Sequence, residues 1–121
     1  MITPNQVSLI IPSYNRQEIV LQTLQYLKQQ SISGFEVIVV DQTASNDSNL
    51  NNFKDDGFKY KYLKITETGL PNARNVGAEY AKGDILIFID DDSIPEPDLI
   101  QSYMNLFNDH EKDKLCIGGR V

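Results

Sequence analysis

ILIFIDDD, residues 85–92, joins a run of five apolar residues directly to three consecutive aspartates. An apolar run this short and unbroken, rich in β-branched residues, predicts a strand covered on both faces, as in a parallel sheet between helices. Two upstream runs read the same way, VSLII from Val7 to Ile11 and FEVIVV from Phe35 to Val40. A fourth stretch, FKYKY from Phe58 to Tyr62, alternates aromatic and lysine residues. That alternation predicts a strand with one wet face, near the sheet edge, its lysines solvated.

Helical spacing fills the gaps. Val20, Leu24 and Leu27 share a face within Arg16 to Gln30, Asn15 and Glu18 are spaced like a capping box, and Gly34 supplies a stop before the second strand. TASNDSN after Asp41 is rich in turn and cap residues and leads into a short helix around Leu50 and Phe53, ending by Gly57. Pro71 suits the first turn of a helix running to about Lys82, with Gly83 placed to cap it. Pro97 opens a last helix with Leu99, Ile100, Tyr103, Met104 and Phe107 on one stripe, and KLCIG (114–118) reads as a fifth strand. The order β-α-β-α-β-α-β-α-β predicts an α/β, three-layer, Rossmann-like sandwich with a largely parallel sheet.

With 121 residues the chain holds one domain, 1–121, and its 40% hydrophobic and 23% charged residues are those of a globular protein. A net charge of −6 argues against a nucleic-acid partner, which needs clustered lysine and arginine. The single cysteine, Cys116, excludes an intrachain disulfide, reads as a small core residue and suits a reducing, cytoplasmic compartment. No apolar run approaches the ~20 residues that cross a bilayer. His110, in the polar run NDHEKDK, reads as a solvated residue.

Ligands of such sheets collect outside the carboxyl ends of the strands. Pro12-Ser13-Tyr14-Asn15, Asp41 and Asp90-Asp91-Asp92 all follow strands, so all converge on that rim. Three adjacent carboxylates repel one another and need a cation or wide exposure to water. Hard oxygen donors suit Mg²⁺ or Mn²⁺ with phosphate oxygens and waters completing the shell; a solvated acidic loop ahead of the helix at Asp98 is the alternative. Asp41 caps the segment after it or accepts a ring N–H of a nucleobase. Arg74, early in its helix, reaches phosphate or base, or pairs with Glu67 or Glu79. Tyr14 packs on the first helix or stacks on a base.

The stretches VSLIIPSYNR (7–16), FEVIVVDQTASNDS (35–48), GLPNARNVGAEYAKGD (69–84), ILIFIDDDSIPEPDLI (85–100) and IGGRV (117–121), in this order and spacing, resemble the family-2 inverting glycosyltransferases of the glycosyltransferase-A fold. The resemblance implies a nucleotide-diphosphate sugar donor and an acceptor hydroxyl, with the triplet as a DXD element. Carried over by position, Pro12 and Tyr14 line the base pocket, Asp41 contacts the base, Arg74 contacts the nucleotide, and Ser13 belongs to the same nucleotide-sugar-binding set. Asp92, with Asp90, binds the metal, and Asp91 and Asp90 touch ribose or the ion's waters. The family's general base lies in a second half that would follow Val121, so no catalytic residue is assigned, and a truncated chain, inactive by itself and peripheral to a membrane in its full-length form, is the expectation.

Two other readings compete. Asp90, Asp92 and Ile94 superficially fit the nucleophile motif of a haloacid-dehalogenase-type phosphatase, although that motif belongs after the first strand. A non-catalytic nucleotide-binding or dimerising module is the other, with an open sheet edge offering a homodimer contact.

Overall fold

A computed structural model describes residues 2–45, 47–66 and 68–109. The expected fifth strand at KLCIG, His110, Cys116 and Glu67 lie outside the described residues. Strands β1 (Val7–Ser13), β2 (Phe35–Asp41), β3 (Phe58–Lys64) and β4 (Ile85–Phe88) form one sheet in the order β3-β2-β1-β4. All three pairings are parallel, with Ile10 beside Ile38 on one flank and Phe88 on the other.

Parallel neighbours need crossover connections, and right-handed crossovers choose the face. The chain moves outward from β1 through β2 to β3, crossing by way of α1 (Gln17–Leu27) and α2 (Ser48–Asn51), then returns past its start to β4 by way of α3 (Leu70–Tyr80). The reversal puts α3 on the opposite face and makes the gap between β1 and β4 the switch point of the sheet.

Strand alternation separates two cores. Val7, Leu9, Ile11, Val37, Val39 and Ile87 pack with Val20, Leu24 and Leu27 of α1 and with Leu99, Ile100 and Met104 of α4 (Leu99–Asp109). Ile10, Ile38 and Val40 face the other way, against Ala73 of α3. Each fully buried aliphatic side chain contributes about 1.5–3 kcal/mol by leaving water. α3 lies close to the sheet because Gly77 has no side chain: a Cβ there would sit 2.4 Å from Ile10 Cγ2 and 3.3 Å from Val40 Cγ2. β3 is the edge strand its sequence predicts, with Lys59 exposed, while Lys61 is half-buried with its Nζ 5.9 Å from the Tyr80 ring centroid.

Three local expectations are revised. Asn15 and Glu18 do not build a capping box: Arg16 is the N-cap residue of α1, without a side-chain cap, and Asn15 takes φ 57. Asparagine tolerates this left-handed conformation better than most residues. Gly83 does not cap α3, which ends at Tyr80 with Ala81 extended. It is glycine because a Cβ would lie 2.6 Å from Gln6 O and 2.7 Å from Ser8 Oγ. Gly34 begins the approach to β2, where its N–H donates to Gly57 O at 2.8 Å, and α1 has already ended at Leu27.

Candidate functional site at the carboxyl rim

At the switch point, β1 runs on to Ser13 while its pairing with β4 stops at Ile10 and Phe88. Ile10 directs its polar backbone groups towards β4, accepting the N–H of Ile89 at 3.1 Å, and Ser13 directs its own towards β2, accepting from Gln42 at 2.8 Å. Pro12, two residues past Ile10, therefore turns the backbone position that lacks a donor to the side that β4 has vacated. A proline is tolerated inside β1 for that reason.

β4 ends early because the aspartates turn away from the sheet. Ser93 N–H closes a turn onto Asp90 O at 3.2 Å, and the buried hydroxyl of Thr23 in α1 lies 2.7 Å from Asp91 O and 3.1 Å from Ser93 O. The turn is thereby fastened to α1. Ser13 Oγ donates to Asp91 Oδ2 at 3.2 Å, which brings the ends of β1 and β4 together across the crevice. Arg16 Nη1 lies 3.5 Å from Asp91 Oδ1 and 3.4 Å from Asp92 Oδ2.

Burial pushes the Asp91 carboxyl up from its ordinary value; the Ser13 hydrogen bond and Arg16 pull it down, and the charges of Asp92 and Asp90 push it up again. The net rise reflects burial and the neighbouring charges of Asp92 and Asp90 outweighing Ser13 and Arg16. Asp90 and Asp92 are exposed. Among the described residues no three His, Cys, Asp or Glu side chains converge as a metal cage. The donor set instead fits the sparser arrangement in which one or two carboxylates hold Mg²⁺ or Mn²⁺ and substrate phosphates and waters supply the rest.

Asp41, at the end of β2, is fully buried. Its oxygens accept from Thr43 N (2.9 Å), from Gln17 Nε2 (2.9 Å) and from the hydroxyl of Tyr62. Burial pushes its carboxyl up, but the hydrogen bonds from Thr43, Tyr62 and Gln17 outweigh that and leave it below the ordinary carboxylate value. The Tyr62 hydroxyl is pushed up, by burial first and by Asp41 second. Lys64 Nζ stands 3.8 Å from Asp41 Oδ2 and donates to the carbonyls of Thr43 and Ser45. The carboxylate is bonded to the start of the 42–45 loop, to α1 and to β3, which is the capping role open to it from its strand-end position.

That loop borders a cavity of about 560 Å³, lined by Tyr14, Gln42, Thr43, Lys64 and Ile65 among others. Tyr14 stands 52% exposed at the rim, its ring accessible to a ligand. A cavity of this size lies within the usual range of small-ligand pockets. Pro12 is buried in β1 and supports the rim from below. Arg74, exposed on α3, has its guanidinium carbon 5.9 Å from the ring centroid of Phe88 in β4, near the carboxyl end that leads into the triplet.

Of the expected residues, then, Ser13 and Asp91 meet directly, Tyr14 borders the cavity, Asp41 lies beneath it and Arg74 flanks β4. Arg16, Gln17, Thr23, Thr43, Tyr62 and Lys64 had no predicted role at the site. Arg16 and Tyr62 stand inside quoted motifs and carried a signal of position only; Thr23 carried none, because its acceptors lie about seventy residues along the chain.

A parallel sheet whose strand order reverses, with polar groups gathered at its switch point, defines a doubly wound α/β domain with a crevice at its carboxyl rim. Residues 8–120 match the Glycosyl transferase family 2. An uncharacterized glycosyltransferase of Haemophilus influenzae is 35% identical over 103 residues, covering 83% of this chain and 34% of that protein. The amylovoran biosynthesis glycosyltransferase AmsB of Erwinia amylovora is 35% identical over 105 residues, covering 82% of this chain and 35% of that protein. In structure, Staphylococcus aureus TarS in complex with UDP-GlcNAc superposes with a TM-score of 0.72 at 25% identity, covering 88% of this chain and 32% of that one. The UDP complex of TarS gives a TM-score of 0.76 at 22% identity, with 88% and 33% covered. The chain belongs to glycosyltransferase family 2, has the α/β fold expected of it, and spans about a third of the length of these relatives.

Proposed function

We propose that this chain is the donor-binding part of a glycosyltransferase that moves a sugar from a nucleoside-diphosphate carrier to an acceptor hydroxyl with inversion and with a divalent metal. The observation that carries the reading is the union of Ser13 and Asp91 at the switch point, beside the cavity bordered by Tyr14. UDP and UDP-GlcNAc bound to TarS support a uridine diphosphate carrier, and a relative named for amylovoran biosynthesis supports a carbohydrate acceptor.

In this reading Tyr14 stacks on the nucleobase, and the 42–45 loop, held from beneath by Asp41, shapes the pocket around it. Ser13 and Asp91 face the ribose, and Arg74 offers forked donors to the nucleotide. Asp92, with Asp90, would hold Mg²⁺ or Mn²⁺, which supplies charge neutralisation on the departing diphosphate. No described residue is given the role of general base, and the chain alone is proposed to bind donor without transferring sugar.

Thermal melts with a panel of nucleoside diphosphates, each with and without Mn²⁺, test the reading, since a ligand at a hundredfold excess over its Kd adds about 2.7 kcal/mol. The expected result is a shift with UDP that Mn²⁺ enlarges, the Mn²⁺ part vanishing in Asp92→Ala. No shift with any nucleotide would sink donor binding, and an Mn²⁺ part that survives Asp92→Ala would sink the metal assignment.

A further inference from the structure

Arg16 reaches the triplet through a backbone device. Asn15 sits at φ 57, held there as its N–H donates to Thr43 Oγ1 at 2.7 Å, and this turn brings Arg16 to the mouth of α1 beside the end of β1. The guanidinium then stands within 3.5 Å of both Asp91 and Asp92. We propose that Arg16 is an exchangeable resident counter-ion of Asp91 and Asp92, displaced onto the donor's diphosphate when a divalent cation arrives, so that cation and nucleotide bind cooperatively. The inference rests on the metal reading above and adds to it the residue that couples the two ligands.

Three features make the contact exchangeable and distinguish it from a structural bridge. The Arg16 and Asp92 side chains are 49% and 58% exposed, and both contacts are at the long end of pairing distance. The pair with Asp92, exposed on both sides, is weak enough for a bound cation to displace, while the Asp91 side chain is only 12% exposed and is held also by Ser13. The turn does not depend on Arg16, because Ser13 holds the Asp91 carboxylate and Thr23 holds the backbone of Asp91 and Ser93.

A cation held by Asp92 with Asp90 repels the guanidinium that stands 3.4 Å from Asp92, and a diphosphate nearby offers its planar fork a two-oxygen partner. Linkage makes the effect reciprocal: whatever nucleotide does to cation affinity, cation does to nucleotide affinity.

The test is a Mn²⁺ titration of the full-length chain followed by electron paramagnetic resonance, with and without UDP, on wild type, Arg16→Gln, Arg16→Lys and Asp92→Asn. Without UDP, Arg16→Gln should bind Mn²⁺ about two- to fivefold more tightly than wild type, the factor that an exposed pair allows. The strengthening of Mn²⁺ binding by UDP should shrink by a similar factor in Arg16→Gln and persist in Arg16→Lys, which keeps the charge. A merely structural role would weaken Mn²⁺ binding when Arg16 is lost. Equal or weaker binding by Arg16→Gln, with Mn²⁺ binding still abolished in Asp92→Asn, overturns the counter-ion alone. Mn²⁺ binding indifferent to Asp92→Asn overturns the metal reading and this inference together.

Discussion

Asp41 is a buried carboxylate whose charge is stabilised by donors from three directions, Thr43 in the following loop, Gln17 in α1 and Tyr62 in β3. Asparagine at 41 would keep the shape and lose the charge, and removing charged acceptors from buried donors costs about 1–3 kcal/mol. Because the folded carboxyl lies below its ordinary 3.8, the stabilisation is complete above that value and is lost as pH falls through the lower folded value. Asp41→Asn should therefore unfold at lower urea than wild type near neutral pH, with the gap closing as the pH drops below about 4. A gap that stays constant down to the acid limit of the fold would contradict the charged network. Tyr62→Phe removes one donor of the same set and should give a smaller loss of the same sign. Since the network shapes the 42–45 loop, both substitutions should weaken nucleotide binding at neutral pH without abolishing its Mn²⁺ dependence, as read by calorimetry with UDP.

At the scale of elements, α3 and α1 are tied to the sheet by different means. α3 depends on close approach, so Gly77→Ala, whose Cβ would meet Ile10 at 2.4 Å, should cost about 1–3 kcal/mol through overpacking even though alanine favours helix. Thermal melts check the sign, and a more stable Gly77→Ala would overturn the packing account. α1 is anchored by Val20, Leu24 and Leu27 and also fastens the aspartate turn through one hydroxyl: Thr23→Val keeps the volume and removes the hydroxyl that lies 2.7 Å from Asp91 O and 3.1 Å from Ser93 O, a loss of about 1–2 kcal/mol. It should also weaken Mn²⁺-dependent nucleotide binding, because the aspartate turn would no longer be fastened. The strands were legible because continuous apolar runs have few other uses, and Asp90-Asp91-Asp92 was legible because strand ends in such sheets share a rim. The capping box was misread because Asn15 answers to Thr43 on another element, a contact that spacing along one helix does not encode. Thr23, Arg16 and Tyr62 escaped for the same reason: each acquires its role from a partner that only the folded sheet brings near.

Over the whole molecule the sheet has two polar ends of different character. At the amino end Ser8 Oγ donates to Glu36 Oε1 at 2.7 Å, and Lys82 N–H (3.0 Å, to Glu36 Oε1) and Gly83 N–H (2.9 Å, to Ser8 Oγ) donate into the same pair. Ser8 and Glu36 are buried, and these bonds join the α3–β4 connection to the middle strands. At the carboxyl end Asp90 and Asp92 are exposed, Asp91 keeps a raised carboxyl, and a cavity lies open beside Tyr14. Groups bonded within the fold serve stability, and charges grouped at a crevice serve a ligand. Hydrogen exchange should separate the two ends. Saturating UDP with Mn²⁺ should slow exchange of the amides in 13–16, 42–45 and 90–93, which border the proposed donor site. Amides of 82–83 and of the first residues of β1 and β2 should change no more than the global rise in stability requires, because exchange from the most stable units follows global unfolding. Protection confined to the amino end would place the nucleotide on the wrong side of the sheet and refute the donor site proposed at the switch point.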